Sequence, residues 1–96
     1  MPRSPFPAAW RLSPLEQAYL AKLRSGRILG AGDLIQLHAG VPLEGANARR
    51  NVRRVIAGLR RKIDPVNVEI GTRWGEGWIL DRAARARLTQ LVNAAK

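Results

Sequence analysis

The residues best suited to chemistry in this sequence are cations. Arg49, Arg50, Arg53, Arg54, Arg60, Arg61 and Lys62 fall in one segment, 47–63, and no acidic residue lies between Glu44 and Asp64. At helical spacing, like charges three and four residues apart repel by about 0.2–0.5 kcal/mol per pair. A phosphate backbone removes that cost, and each phosphate contact adds affinity by releasing counterions. Arginine also offers a planar fork that matches guanine O6 and N7, worth roughly 1–3 kcal/mol of discrimination per base pair. Val52, Ile56, Leu59 and Ile63 recur at i, i+4, i+7 and i+11, which is one apolar face, and Val55 widens it. The cations occupy the remainder. Ala57 and Gly58 lie in the middle of that polar side, where small side chains let a helix approach a groove floor. Gly58 has a second reading, close contact with another protein element. The alternative for the whole run is a merely solvated basic face.

Other chemistries are poorly supplied. His38 is the single histidine, and it sits beside apolar residues as a structural histidine does. Ser4, Ser13 and Ser25 have no neighbouring base pattern. The seven carboxylates are scattered without metal-ligand spacing. Cysteine is absent, which removes disulfides, thiolate metal sites and thiol catalysis. Gly75-x-Gly77 suits a hairpin turn better than a phosphate loop. We therefore expect no enzyme, catalytic residue, metal or cofactor.

The bulk numbers agree. A chain of 96 residues suits one domain and leaves little room for a deep pocket. Its net charge of +10 favours a polyanionic partner. A hydrophobic content of 46% is too high for a disordered basic tail. No run of 18 apolar residues is present, so no membrane span is expected. MPRSPFPAAW does not read as a signal peptide, so the expected location is the cytoplasm.

These residues must be positioned by ordered elements. Residues 1–11 read as a flexible segment, with Trp10-Arg11-Leu12 as a short extended piece. Ser13, Pro14 and Glu16 form a helix start with a capping box. Leu15, Ala18, Tyr19 and Leu23 make its apolar stripe, and Gly26 is its stop. Arg27-Ile28-Leu29 is a connector. A second helix follows Gly30, with Asp33 in its first turn, Leu34, Ile35 and Leu37 facing the core, and Gly40 and Pro42 ending it. Residues 41–46 form a loop. Asn47 caps a third helix that reaches Ile63, where Asp64-Pro65 breaks it. Val66, Val68 and Ile70 alternate like a strand, 73–77 is a turn, and Trp78-Ile79-Leu80 returns. Leu88, Leu91, Val92 and Ala95 mark a final amphipathic helix over 82–96. The predicted fold is mostly α with a C-terminal β-hairpin: a winged helix-turn-helix of three helices plus a wing over 12–81, with an extra C-terminal helix.

The same residues resemble a known family, the C-terminal effector domain of OmpR/PhoB-type response regulators. Leu59-Arg60-Arg61-Lys62-Ile63 is similar to the end of its recognition helix. Thr72-Arg73-Trp74-Gly75-Glu76-Gly77-Trp78 is similar to its wing, and Leu12-Ser13-Pro14-Leu15-Glu16 to its first helix start. The resemblance covers residues 12–81. It implies that Arg50, Arg53, Arg54 and Arg61 read bases and phosphates. Arg49 and Arg60 would lie on phosphates, while Thr72, Arg73 and Trp74 would set the wing against the adjacent backbone or minor groove. Hairpin packing is the alternative for Trp74. Trp78 would belong to the core. The family's receiver domain and most of its leading sheet have no counterpart in the roughly 12 residues before Ser13, so a phosphorylation switch is not expected.

The expected function is a bacterial, nucleoid-associated, sequence-specific double-stranded DNA-binding transcription regulator. Two alternatives stand beside it. One is a winged helix that binds RNA polymerase or another regulator. The other is a nonspecific nucleic-acid-binding architectural protein. The segment 82–96 would either cover the core in cis or form a homodimer contact.

Overall fold

The computed structural model describes residues 5–38 and 45–94. The chain is mostly helical, with one antiparallel hairpin and a C-terminal helix. The helices are α1 (Pro14–Leu23), α2 (Ala31–Ile35), α3 (Gly45–Ile63) and α4 (Arg82–Ala94), and the hairpin is β1 (Gly71–Arg73) with β2 (Gly77–Ile79). The expected loop at 41–46 and the expected stop at Gly40 and Pro42 involve positions 39–44, which lie outside the described residues, as does Ala95.

Helix α1 starts as its sequence dictates. Ser13 Oγ accepts from the Glu16 N–H at 3.1 Å, and Glu16 Oε1 accepts from the Ser13 N–H at 2.8 Å. This reciprocal pair satisfies two otherwise unpartnered donors. Tyr19, Leu20 and Leu23 are fully buried, while Leu15 and Ala18 are half-buried, so the stripe is rotated toward Leu20 from its expected centre.

Helix α2 is shorter than predicted. It is capped by Asp33 Oδ2, which accepts from the Gly30 N–H at 3.0 Å. It gives way after Ile35 to a turn in which the Leu37 and His38 N–H groups bond to Leu34 and Ile35 carbonyls. Helix α3 begins at Gly45, so Asn47 lies inside its first turn and is not the cap. The Asn47 carbonyl instead accepts from Asn51 Nδ2.

The buried face of α3 is the predicted one. Val52, Ile56, Leu59 and Ile63 are at most 1% exposed, and Ala48 joins them. They meet α1, α2, Val68, Ile70, Leu80 and the α4 residues Ala84, Leu88 and Val92 in one core. Helix α4 therefore buries its apolar face within the chain. Asp81 Oδ1 caps it by accepting from the Ala84 N–H, and Arg87 Nε donates to the Val66 carbonyl at 3.1 Å.

Two further expectations are corrected. The strand predicted from Val66 starts only at Gly71. Asp64–Val66 is a single 3-10 turn closed by Asn67 at φ 63°. Val68 and Ile70 are buried and Glu69 is exposed, so the alternation is real, but it records a segment outside any strand, with no partner strand among the described residues. At the other end, Phe6 is buried and stacks on Trp10 at 6.3 Å, and Ala8–Trp10 forms a 3-10 turn. Phe6 and Trp10 thus pack on the core, and Trp10-Arg11-Leu12 is not extended, with Arg11 at φ 55°.

Candidate functional site

Each residue of α3 advances about 100° around the axis, so its cations divide into three groups. Arg50, Arg54 and Arg61 cluster opposite the buried stripe, with exposed Ala57 among them. Arg49, Arg53 and Arg60 lie on the flank nearest the hairpin. Lys62 lies on the opposite flank, toward α1.

The seven charges are not equally free. Arg49, Arg50, Arg53, Arg54 and Arg61 are exposed, whereas Arg60 and Lys62 are half-buried. Lys62 Nζ donates to the Arg11 carbonyl at 3.0 Å and forms an ion pair with Glu16 Oε1. The interval without acids leaves these charges uncompensated along α3 itself, but it says nothing about a carboxylate 46 positions away on another helix. Burial alone raises the proton affinity of the Glu16 carboxyl. Hydrogen bonds from Lys62 and the Ser13 N–H, with the Lys62 charge, outweigh it and hold the group below its ordinary 4.5.

Arg60 is also committed within the chain. Its Nη2 donates to the Ile70 carbonyl at 2.8 Å and to Thr72 Oγ1 at 2.7 Å, and its Nε donates to Ile70 at 3.3 Å. Arg60, expected on a phosphate, is thus also a strut between α3 and β1. Gly58 resolves toward its second reading: a Cβ there would stand 3.2 Å from Glu16 Oε2. The α1 side approaches at that point, so Gly58 is half-buried while Ala57 is exposed.

The hairpin sits beside this helix and is held from both sides. Thr72 pairs with Trp78 in the register, and Arg73 with Gly77. Leu29, expected to be a plain connector, adds a bridge on the far edge of β2. Its N–H donates to the Trp78 carbonyl at 2.8 Å, and the Trp78 N–H donates to its carbonyl at 2.9 Å. The only advance signal was a short apolar pair, Ile28-Leu29. The turn closes through the Glu76 N–H on the Arg73 carbonyl at 3.0 Å.

At the tip Trp74 is 93% exposed, so it does not pack on its own hairpin. Trp78 is half-buried against the core edge. Between α3 and the hairpin runs an open cleft of about 620 Å³. Its lining includes Arg49, Arg53, Arg60, Thr72, Arg73, Trp74 and Trp78, with Glu76 as its carboxylate. The structure thus brings six of the nine candidate residues, Arg49, Arg53, Arg60, Thr72, Arg73 and Trp74, to the cleft between α3 and the hairpin, and leaves Arg50, Arg54 and Arg61 exposed on the outer face of the same helix.

His38 belongs elsewhere. Its Nε2 is hydrogen bonded to the hydroxyl of buried Tyr19, whose pKa burial pushes up to about 12. Among the described residues, no group of three or more His, Cys, Asp or Glu is placed to hold a metal ion. Nor is any described helix long and apolar enough to cross a membrane. Compared with known proteins, the chain matches no family model, no curated protein and no solved structure.

Proposed function

We propose that this chain is a winged-helix, sequence-specific double-stranded DNA-binding regulator of transcription. In this reading α3 is the recognition helix in the major groove, and the 71–79 hairpin is the wing on the adjacent backbone or minor groove. One observation carries it: five exposed arginines, Arg49, Arg50, Arg53, Arg54 and Arg61, ride on a helix whose opposite face is anchored in the core. Such a helix presents its charges as a fixed array, and an arginine array matches phosphate oxygens and guanine edges. The resemblance to OmpR/PhoB-type effector domains supports the same assignment.

The geometry divides the roles. Arg50, Arg54 and Arg61 surround Ala57 and point away from the core, so they would reach base edges, with Arg53 beside them. Arg49 lies on the cleft, where a phosphate backbone would run. Arg60 holds the wing. Because α4 buries its apolar stripe within the chain, its role as a dimer contact loses its main motive. A DNA-binding protein of this charge would reside on the nucleoid.

The test is a mobility-shift series across salt, preceded by genome-wide mapping to supply a bound site. About six phosphate contacts give a slope of roughly −5 in log affinity against log salt. Tight binding to the mapped site over a scrambled duplex is the expected outcome. Equal affinity for both at physiological salt would show charge-only binding and overturn sequence reading. Recovery of polymerase or another regulator without nucleic acid would point to the protein-interaction alternative.

A further inference from the structure

Trp74 has no role in the fold that explains its placement. A tryptophan at a hairpin tip leaves a large apolar surface in water, and here the side chain is 93% exposed. The tip beneath it is braced. Arg60 ties β1 to α3, Leu29 ties β2 to the body through two backbone hydrogen bonds, and the Glu76–Arg73 bond closes the turn. The indole is therefore carried on a fixed support at the mouth of a cleft whose lining includes four arginines and one glutamate.

We propose that Trp74 is a wedge that inserts partway between adjacent base pairs of the bound duplex, from the minor groove, and bends it. This rests on the DNA-binding reading of α3 and adds a second mode of recognition to it. The choice of ligand follows from chemistry. An indole cannot neutralise a phosphate, and on a duplex the flat apolar surfaces are the faces of the bases. Arg73, next in sequence, and Arg49 and Arg53, across the cleft, supply the phosphate contacts that would hold the indole at the groove. Apolar side chains inserted in this way unstack a base step and kink the duplex toward the major groove. The cost of kinking is least at pyrimidine–purine steps. Trp74 would thus select a flexible step at a fixed offset from the bases read by α3, without a hydrogen bond to either base.

The experiment compares wild type, W74A and W74F on an end-labelled duplex of about 30 base pairs with a central TA step, and on its single strand. Affinity, dye-to-dye energy transfer and tryptophan emission are read together. The wedge predicts that wild type bends the duplex and that binding quenches the emission that W74A lacks. W74A should bind about tenfold more weakly, as expected for loss of one stacking side chain, and without the bend. W74F should recover most of both. Because Trp74 is exposed, W74A should keep the wild-type circular dichroism and melting temperature.

Equal duplex affinity and equal energy transfer for wild type and W74A would overturn the wedge and leave the DNA-binding reading standing. Tighter binding of the single strand than the duplex would also overturn it, assigning the indole to unpaired bases. Loss of protein recruitment in W74A with duplex binding unchanged would assign the tip to a protein partner. Failure of wild type to bind any duplex would remove both proposals.

Discussion

Arg60 on α3 donates to Thr72 Oγ1 at 2.7 Å while its fork also holds the Ile70 carbonyl, so one guanidinium sets the hairpin against the helix. Arg60→Lys keeps the charge but loses the planar fork. Arg60→Met loses both. We expect urea denaturation to show Arg60→Met destabilised by about 1–3 kcal/mol, with Arg60→Lys closer to Met than to wild type. A phosphate-binding Arg60 would give the opposite order: stability unchanged, and DNA affinity largely kept by lysine.

Gly77 and Gly75 both have positive φ, 142° and 78°, but they differ in surroundings. A Cβ on Gly77 would fall 2.1 Å from the Leu29 carbonyl oxygen, whereas one on Gly75 meets open space. Gly75→Ala should cost about 1 kcal/mol, the left-handed penalty alone. Gly77→Ala must also push the Leu29–Trp78 bridge apart and should cost well over 2 kcal/mol. Thermal melts of the two variants side by side check this, and amide exchange at Leu29 and Trp78 should quicken in Gly77→Ala alone.

The pairing of Glu16 with Lys62 makes stability depend on acid. The folded-state carboxyl lies below its ordinary 4.5, so its contribution is present above that value and is lost as the pH falls through the lowered one. Glu16→Gln keeps a residue able to close the capping box but removes the charge. The variant should be about 1 kcal/mol less stable than wild type near neutral pH. The two denaturation curves should converge as the pH drops below 4.5. A constant gap down through the acid range would show that the ion pair contributes nothing.

Ala57 lies exposed among Arg50, Arg54 and Arg61. Ala57→Gln is an exposed helical change with a small propensity cost, about 0.5 kcal/mol or less, yet it adds bulk where the helix would meet a groove floor. The melting temperature should be nearly unchanged, while the preference for a mapped site over a scrambled duplex falls. Arg54→Ala should weaken binding at particular base pairs by about 1–3 kcal/mol. Arg49→Ala should weaken all duplexes alike and reduce the salt slope by about 1. Competition shifts with single-base variants of the site separate these patterns.

What the sequence determined by itself was local. The α1 start follows from Ser13, Pro14 and Glu16 because a capping box spans three residues. The buried face of α3 follows from the spacing of Val52, Ile56, Leu59 and Ile63 because helical period is a local property. The turn at 73–77, the return strand after it and the α4 stripe were legible for the same reason, and so was the arginine array, whereas the first strand begins at Gly71 and not at Val66. Tertiary structure decided which of the α3 cations are committed within the chain. Lys62 meets Glu16, 46 positions away, and Arg60 turns to Ile70 and Thr72, across the break at Asp64-Pro65. It also decided that Leu29 would brace β2, that Phe6 would reach the core, and that Val68 and Ile70 would be buried outside either strand. Such pairings depend on where separate elements meet, and no period or cap within one element encodes that meeting.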